Sequence, residues 1–322
     1  MKLRQITLAL AMAAVAGSAQ ALPWVGSFQT SNTGAGGTFH DGVVGLFSGM
    51  DLISNGSAAF FCNTPAGCGV GGSVAFGTQI NPGSTTDVKL GDSIITLYQG
   101  IVDKFNPSAA APNLVHPVNL SPADPYQITL AAMFNEVVTG GIGTTAILTA
   151  TVGGKFGFYY DDLLAPTGGL PGTAANIAAG TGFTDGLEIL SGFIGAGLSS
   201  YTVTSAGSGT GFASIGAKVV VAAMGFDDPA DVADVVGFMP DAPDGIVSTT
   251  TIQYGSHTGG NTDHQTKNFF DAANGWTPVA VNPALTVRAD ANTDFVVPEP
   301  TTLALLGLGL AGLGLSLRRR AA

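Results

Sequence analysis

The sequence predicts an all-β body, a β-sandwich or jelly roll, flanked by an N-terminal signal helix and a C-terminal transmembrane helix. Three observations predict the body. Glycine makes up 47 of 322 residues, and only three of the 22 acidic residues are glutamate. With lysine and arginine also scarce, the strong helix formers are missing. Thr, Val, Ile and Phe, which fit a pleated and half-buried surface, run throughout the chain. Short apolar or alternating runs are punctuated by Gly, Pro and Asn turn signals, as in a strand-built domain.

The elements follow in order. A basic start, Met1-Lys2-Leu3-Arg4, precedes an apolar run over residues 6–16 and the small-residue end Ala19-Gln20-Ala21. That order is a secretory signal peptide over residues 1–21, with the mature chain starting near Leu22. Residues 22–49 are rich in Gly and Ser and anchored by Phe28, Phe39 and Phe47. Residues 73–80 alternate as a strand and end at Asn81-Pro82-Gly83, a turn. Residues 94–102 show helical spacing at Ile94, Tyr98, Ile101 and Phe105, with Asp92 placed to cap. Their β propensity is high, and it decides for a strand. Residues 106–125 hold five prolines and read as a loop or interdomain linker. Three strands follow over 126–134, 144–152 and 155–160, with Gly153-Gly154 as a two-residue hairpin turn. After a Gly/Ala/Pro loop over 166–182, strands over 187–194, 200–204, 213–224, 246–254 and 284–288 complete about ten.

The two cysteines, Cys62 and Cys68, enclose Asn63-Thr64-Pro65-Ala66-Gly67. In an oxidising compartment they are expected to pair as a structural staple, whereas a redox pair would favour C-x-x-C. Residues 22–297 carry six basic and 21 acidic side chains, a net charge near −15. That excludes electrostatic binding of nucleic acid, which needs a basic footprint. It also disfavours adhesion to anionic lipid, and it attracts divalent cations.

Candidate sites are few. Asp227, Asp228, Asp231 and Asp234, followed by Asp241 and Asp244, can supply the hard oxygens of a calcium site. They lack the D-x-D-x-D-G register, and a solvated loop is the other reading. His257, Asp263 and His264 share one stretch but are widely spaced for zinc or copper. No G-x-S-x-G elbow is present. Glu136 and Glu188, the only glutamates of the body, are candidates for a paired-carboxylate hydrolase on a jelly-roll scaffold. Tyr159, Tyr160, Tyr254 and Trp276 fall at strand ends or in loops. They either stack on pyranose rings or pack in the core.

The chain closes with Pro298-Glu299-Pro300, an uncharged stretch over 301–317, and Arg318-Arg319-Arg320. As a helix the stretch spans about 25 Å, the short end of a bilayer core. The arginines should stay cytoplasmic, which places the body on the other side. Gly307-x-Gly309-x-x-Gly312 matches a dinucleotide pattern, but it lies inside the span with no βαβ unit around it.

This order over 298–322 resembles the PEP-CTERM sorting signal. The resemblance implies export by the general secretion machinery in a Gram-negative, exopolysaccharide-producing bacterium. It implies processing at or near Pro298-Glu299-Pro300 by an exosortase, an integral-membrane cysteine transpeptidase. Further in, Gly91-Asp92 with Leu97-Tyr98-Gln99-Gly100, then Tyr126-Gln127-Ile128-Thr129-Leu130 and Phe156-Gly157-Phe158-Tyr159-Tyr160-Asp161, are similar to the flocculation-associated PEP-CTERM group. That likeness implies binding of cells to exopolysaccharide during floc formation. The expectation is therefore a non-catalytic surface or matrix protein acting in biofilm or floc. Calcium is its one cofactor candidate, and it touches the membrane transiently through its C-terminal helix. A secreted hydrolase is the alternative.

Overall fold

A computed structural model describes residues 22–23, 26–30, 42–52, 56–107, 116–117, 126–142, 144–162, 179, 181–205, 208–222, 236–239, 247–254 and 266–297. Its strands are β1 (Leu22–Pro23), β2 (Gly26–Thr30), β3 (Gly42–Leu52), β4 (Gly56–Cys62), β5 (Ser93–Pro107), β6 (His116–Pro117), β7 (Tyr126–Ile142) and β8 (Thr145–Asp162). They continue as β9 (Leu187–Ser205), β10 (Ser208–Ala222), β11 (Val236–Met239), β12 (Val247–Tyr254), β13 (Asn268–Phe269), β14 (Val279–Ala280) and β15 (Val287–Val297).

Period-two alternation drives the assembly. On β15, Val287, Ala289, Ala291, Thr293 and Phe295 are buried, while Arg288, Asn292 and Asp294 are exposed. On β10, Ala213, Ile215, Ala217 and Val219 turn the same way. One apolar face per strand, met by another on each side, bends the sheet until it closes. Strands β4, β5, β7, β8, β9, β10, β12 and β15 pair antiparallel in that order, and β15 returns to β4 through Val287↔Ala58. β3 lies end to end with β4 along the same neighbours, Met50 pairing with Phe105 on β5 and Thr293 on β15. The short strands β1, β2, β6 and β11 extend this sheet.

The result is an eight-stranded antiparallel barrel. This corrects the expected sandwich or jelly roll. Those folds need strands that cross between two sheets, whereas here each barrel strand pairs with the next one along the chain. Closure also removes the exposed ladder edges that an open sheet must protect. The interior is filled by Tyr98, Phe105, Phe134, Phe158, Phe295 and Met50, all fully buried. Outward positions carry side chains such as Thr151, Thr249, Thr251, Asn292 and Asp294. The outer wall is not uniformly polar: Ile147 and Val152 on β8, Leu187, Phe193 and Leu198 on β9 and Phe212 on β10 are exposed apolar side chains.

Two local expectations change. Residues 73–80 form only two isolated bridges, Val74 with Cys68 and Gln79 with Phe61, inside a loop. Gly153-Gly154 is not a hairpin turn: β8 runs straight through it, and the ladder slips there between Thr151↔Asn135 and Lys155↔Met133. Gly153 has φ +114, and a Cβ on Gly154 would stand 2.7 Å from the Met133 carbonyl oxygen. The pair is a β-bulge, which needs the same glycine permissiveness as a tight turn. β5 and β7, on either side of the Pro-rich stretch, are neighbours in this one barrel.

A second apolar cluster lies outside the barrel wall. Ala59, Leu97, Ala131 and Tyr159 point outward and are covered by Phe269, Phe270 and Trp276 from the stretch between β12 and β15. Gln99 ties this cover down. Its side-chain oxygen accepts the N–H of Phe270 at 3.2 Å, where the backbone is left-handed at φ 66. The Asp271 carboxylate accepts the N–H groups of Phe183 (2.9 Å) and Thr184 (3.0 Å).

Candidate functional site

One end of the barrel is built as a receptacle. The ends of β4, β7, β9 and β12 meet there with the starts of β5, β8, β10 and β15. Residues 63–92, between β4 and β5, fold back over this mouth. Their shape is fixed by several cross-links. Cys62 and Cys68 form a disulfide, with Cα atoms 5.6 Å apart. The buried Asp92 carboxylate accepts the N–H groups of Gly69 and Lys89, each at 2.8 Å. The Lys89 ammonium donates to the Gly69 carbonyl at 2.6 Å. Asp87 accepts from the N–H of Asn81 at 3.2 Å and from the Ser84 hydroxyl at 2.5 Å.

Between this wall and the strand ends lies a cavity of about 420 Å³. Phe60, Ile94, Val138, Leu148 and the Tyr201 ring form its apolar lining, while Ser84, Thr85, Thr139 and Thr145 bring hydroxyls to it. The ring of Tyr201 lies over Gly209, where a Cβ would come within 2.5 Å of it. Tyr201 and Tyr254 pack against Phe60 with ring centroids 5.8 and 5.4 Å away. Their buried hydroxyls have no hydrogen-bond partner among the described residues. Burial pushes the Tyr201 phenol up to about 12 and raises Tyr254 well above its ordinary value.

One step deeper on the inner face of β7 sits Glu136, 1 % exposed. Its carboxylate accepts the Thr96 hydroxyl at 2.5 Å and the Ser199 hydroxyl. Burial holds its carboxyl above the usual carboxylate range, although both hydrogen bonds pull the other way. Glu188 is not brought to it. Glu136 is opposite Ala150 on β8 and Glu188 opposite Tyr159, an outward residue nine positions further along. The two carboxylates therefore face opposite sides of the wall and lie on the order of 25 Å apart along the strand. A glycosidase pair needs about 5–10 Å.

The expected staple of Cys62 and Cys68 is thus present. The proposed stacking aromatics are placed otherwise: Tyr159 and Trp276 pack together in the outer cluster, and Tyr160 and Tyr254 lie in the barrel core. None is more than 6 % exposed, so their faces are taken up by the protein's own side chains. The Trp276 indole N–H donates to the Tyr159 hydroxyl, and the Lys155 ammonium stands 4.0 Å over the Trp276 ring. The aspartates Asp227, Asp228, Asp231 and Asp234 lie outside the described residues, as do His257, Asp263 and His264. Among the described residues no group of His, Cys, Asp or Glu is arranged to hold a metal ion. The mouth itself was not foreseen. Its one sequence signal is the disulfide-closed loop set between two strands.

The signal segment and the C-terminal span both lie outside the described residues; within these, no helix is long and apolar enough to cross a membrane. Fold and tail together define an exported β-barrel protein with a C-terminal sorting signal. The tail is a PEP-CTERM protein-sorting motif, whose family model matches residues 296–320, and it marks the chain as an exosortase substrate. No curated protein and no solved structure matches the chain.

Proposed function

We propose that the sorted barrel is a non-catalytic surface or matrix protein that associates with exopolysaccharide and acts in biofilm or floc structure, as in the flocculation-associated group. The observation that supports this reading is the junction of barrel and tail. β15 ends at Val297, and the sorting motif begins at residue 296. Val296 pairs with Val247 and Pro23, at the barrel end opposite Tyr254 and the mouth. A chain held by this tail presents its wall and mouth away from the point of attachment.

The wall suits a hydroxylated polymer. Outward Thr249, Thr251, Asn292 and Asp294 on β12 and β15 offer many weak polar contacts, none of them a built catalytic pair. The acidic surface adds calcium as a bridge to polysaccharide carboxylates, with the 227–234 stretch as the candidate ligand set.

The test is a clean deletion strain, scored for flocs or biofilm and for secreted polysaccharide. Loss of aggregation with normal polysaccharide, restored by the wild-type gene, is the expected result. Binding of the processed protein to that polysaccharide is then measured with calcium and with a chelator. Unchanged aggregation overturns the reading, and release of reducing ends by the purified protein would favour the hydrolase instead.

A further inference from the structure

We propose that the barrel mouth is a binding site for a small amphiphile, a molecule with an apolar body and one polar end. The cavity is the right size and the right character. About 420 Å³ is within the usual range of ligand pockets and amounts to roughly fourteen times the liquid share of one water molecule. Phe60, Ile94, Val138 and Leu148 give it an apolar interior that water fills poorly. An apolar body placed there is removed from water on most sides, which is the main source of affinity in such pockets.

The polar end is placed by the surrounding groups. Ser84, Thr85 and Lys89 belong to the wall segment, and Thr139 and Thr145 belong to the facing strand ends. Thr85 and Lys89 are exposed, so the hydroxyl-bearing side of the cavity opens to solvent. The ligand therefore enters body first, with a hydroxyl or carboxyl left among these side chains. The Lys89 ammonium already donates to Gly69 and lies 3.8 Å from the Asp92 carboxylate. It is largely compensated, so acid and alcohol end groups are both accommodated.

The wall is preformed. The disulfide, Asp92 and Asp87 hold residues 63–92 in place without any ligand. Little ordering is then left for the binding step, which favours affinity. The barrel core below the cavity is packed, so the ligand is bounded in length as well as in width.

The test uses the naturally processed protein recovered from producing cells, titrated calorimetrically with octanoic, decanoic and dodecanoic acids and the matching 1-alkanols. One saturable site is expected, with affinity rising along the series until the cavity is full and falling beyond that length. Leu148→Trp fills the apolar interior, and Thr85→Trp plugs the opening from an exposed position. Each should weaken binding at least tenfold, while Thr251→Trp on the outer wall should leave it unchanged. Thr85→Trp decides the matter if Leu148→Trp fails to fold. Absence of saturable binding across both series, or binding undiminished by Thr85→Trp, overturns the proposal.

Discussion

The Ser199 hydroxyl, on β9, donates to the Glu136 carboxylate, on β7, across the intervening strand and inside the barrel. This places a titratable group in an apolar core, and the direction of its shift fixes the pH response. Burial raises the Glu136 carboxyl above its ordinary value, so the folded protein holds the proton more tightly than the unfolded chain does. The stabilisation is fully present below the ordinary carboxylate pKa and is lost as pH rises through the raised folded value. Each unit of that rise corresponds to about 1.4 kcal/mol. Glu136→Gln keeps a carbonyl oxygen to accept from one of the two hydroxyls of Thr96 and Ser199, offers an amide N–H to the oxygen of the other, and removes the charge. It should raise the melting temperature at pH 7 and flatten its fall between acid and neutral pH. A variant that melts below wild type at pH 7 but not at pH 4 would contradict this.

The bulge at Gly153-Gly154 makes a second prediction. An alanine at 154 places its Cβ against the Met133 carbonyl and against Phe134, both backbone-fixed neighbours. One at 153 meets open space and suffers only from its positive φ. Gly154→Ala should therefore cost about 2–3 kcal/mol and Gly153→Ala about 1–2 kcal/mol, read by urea unfolding. Equal, small losses would instead fit a two-residue turn.

Those glycines also show where sequence reading reaches its limit. A glycine pair between alternating runs permits either a turn or a bulge, and only the partner strand decides. Here Met133–Asn135 on β7 keeps its ladder on both sides of the slip. The all-β class was legible because propensity and period act locally; closure was not, because it depends on β15 meeting β4, more than 200 residues apart in sequence. β15 carries a clear alternation from Val287 to Phe295, but the expected strand over 284–288 reaches only its first two residues, because outward Asp290, Asn292 and Asp294 make the rest polar. The disulfide was legible from spacing and compartment. The mouth cavity was not, since Phe60, Leu148 and Tyr201 come together only once the barrel is closed. Sequence alone leaves Tyr159 and Trp276 open between sugar stacking and core packing for a related reason: the stretch that settles it for packing belongs to the long connection between β12 and β15.

Trp276 is the centre of that outer cover. It packs on Phe270 at 4.3 Å between ring centroids, donates to Tyr159 and receives the Lys155 ammonium on its face. Trp276→Ala should cost about 3–5 kcal/mol. Trp276→Phe keeps most of the packing but leaves the Tyr159 hydroxyl unpartnered, at about 1–3 kcal/mol. Adding Tyr159→Phe to Trp276→Phe should then recover part of the loss, so the two changes are non-additive in a double-mutant cycle. Strict additivity would mean that the hydrogen bond contributes nothing to the cover.

The junction at Val297 makes the final prediction. Leu22 and Val247 pair with Val297 and Val296, so the barrel ladder runs to the last residue before Pro298. Two prolines, at 298 and 300, have no N–H to donate to a continuing ladder. A cut at or near 298–300 therefore removes the tail without breaking a ladder hydrogen bond, whereas a cut upstream of Val297 would shorten β15. Intact-mass measurement of the protein from producing cells should give a C-terminus at or near 298–300, and its melting temperature should equal that of the uncut barrel. Glu299→Ala should slow processing and leave the full-length chain with its apolar 301–317 stretch in the membrane fraction. A processed mass ending before Val297 would show that β15 is opened before cleavage, and unimpeded processing of the variant would show that the carboxylate takes no part in recognition.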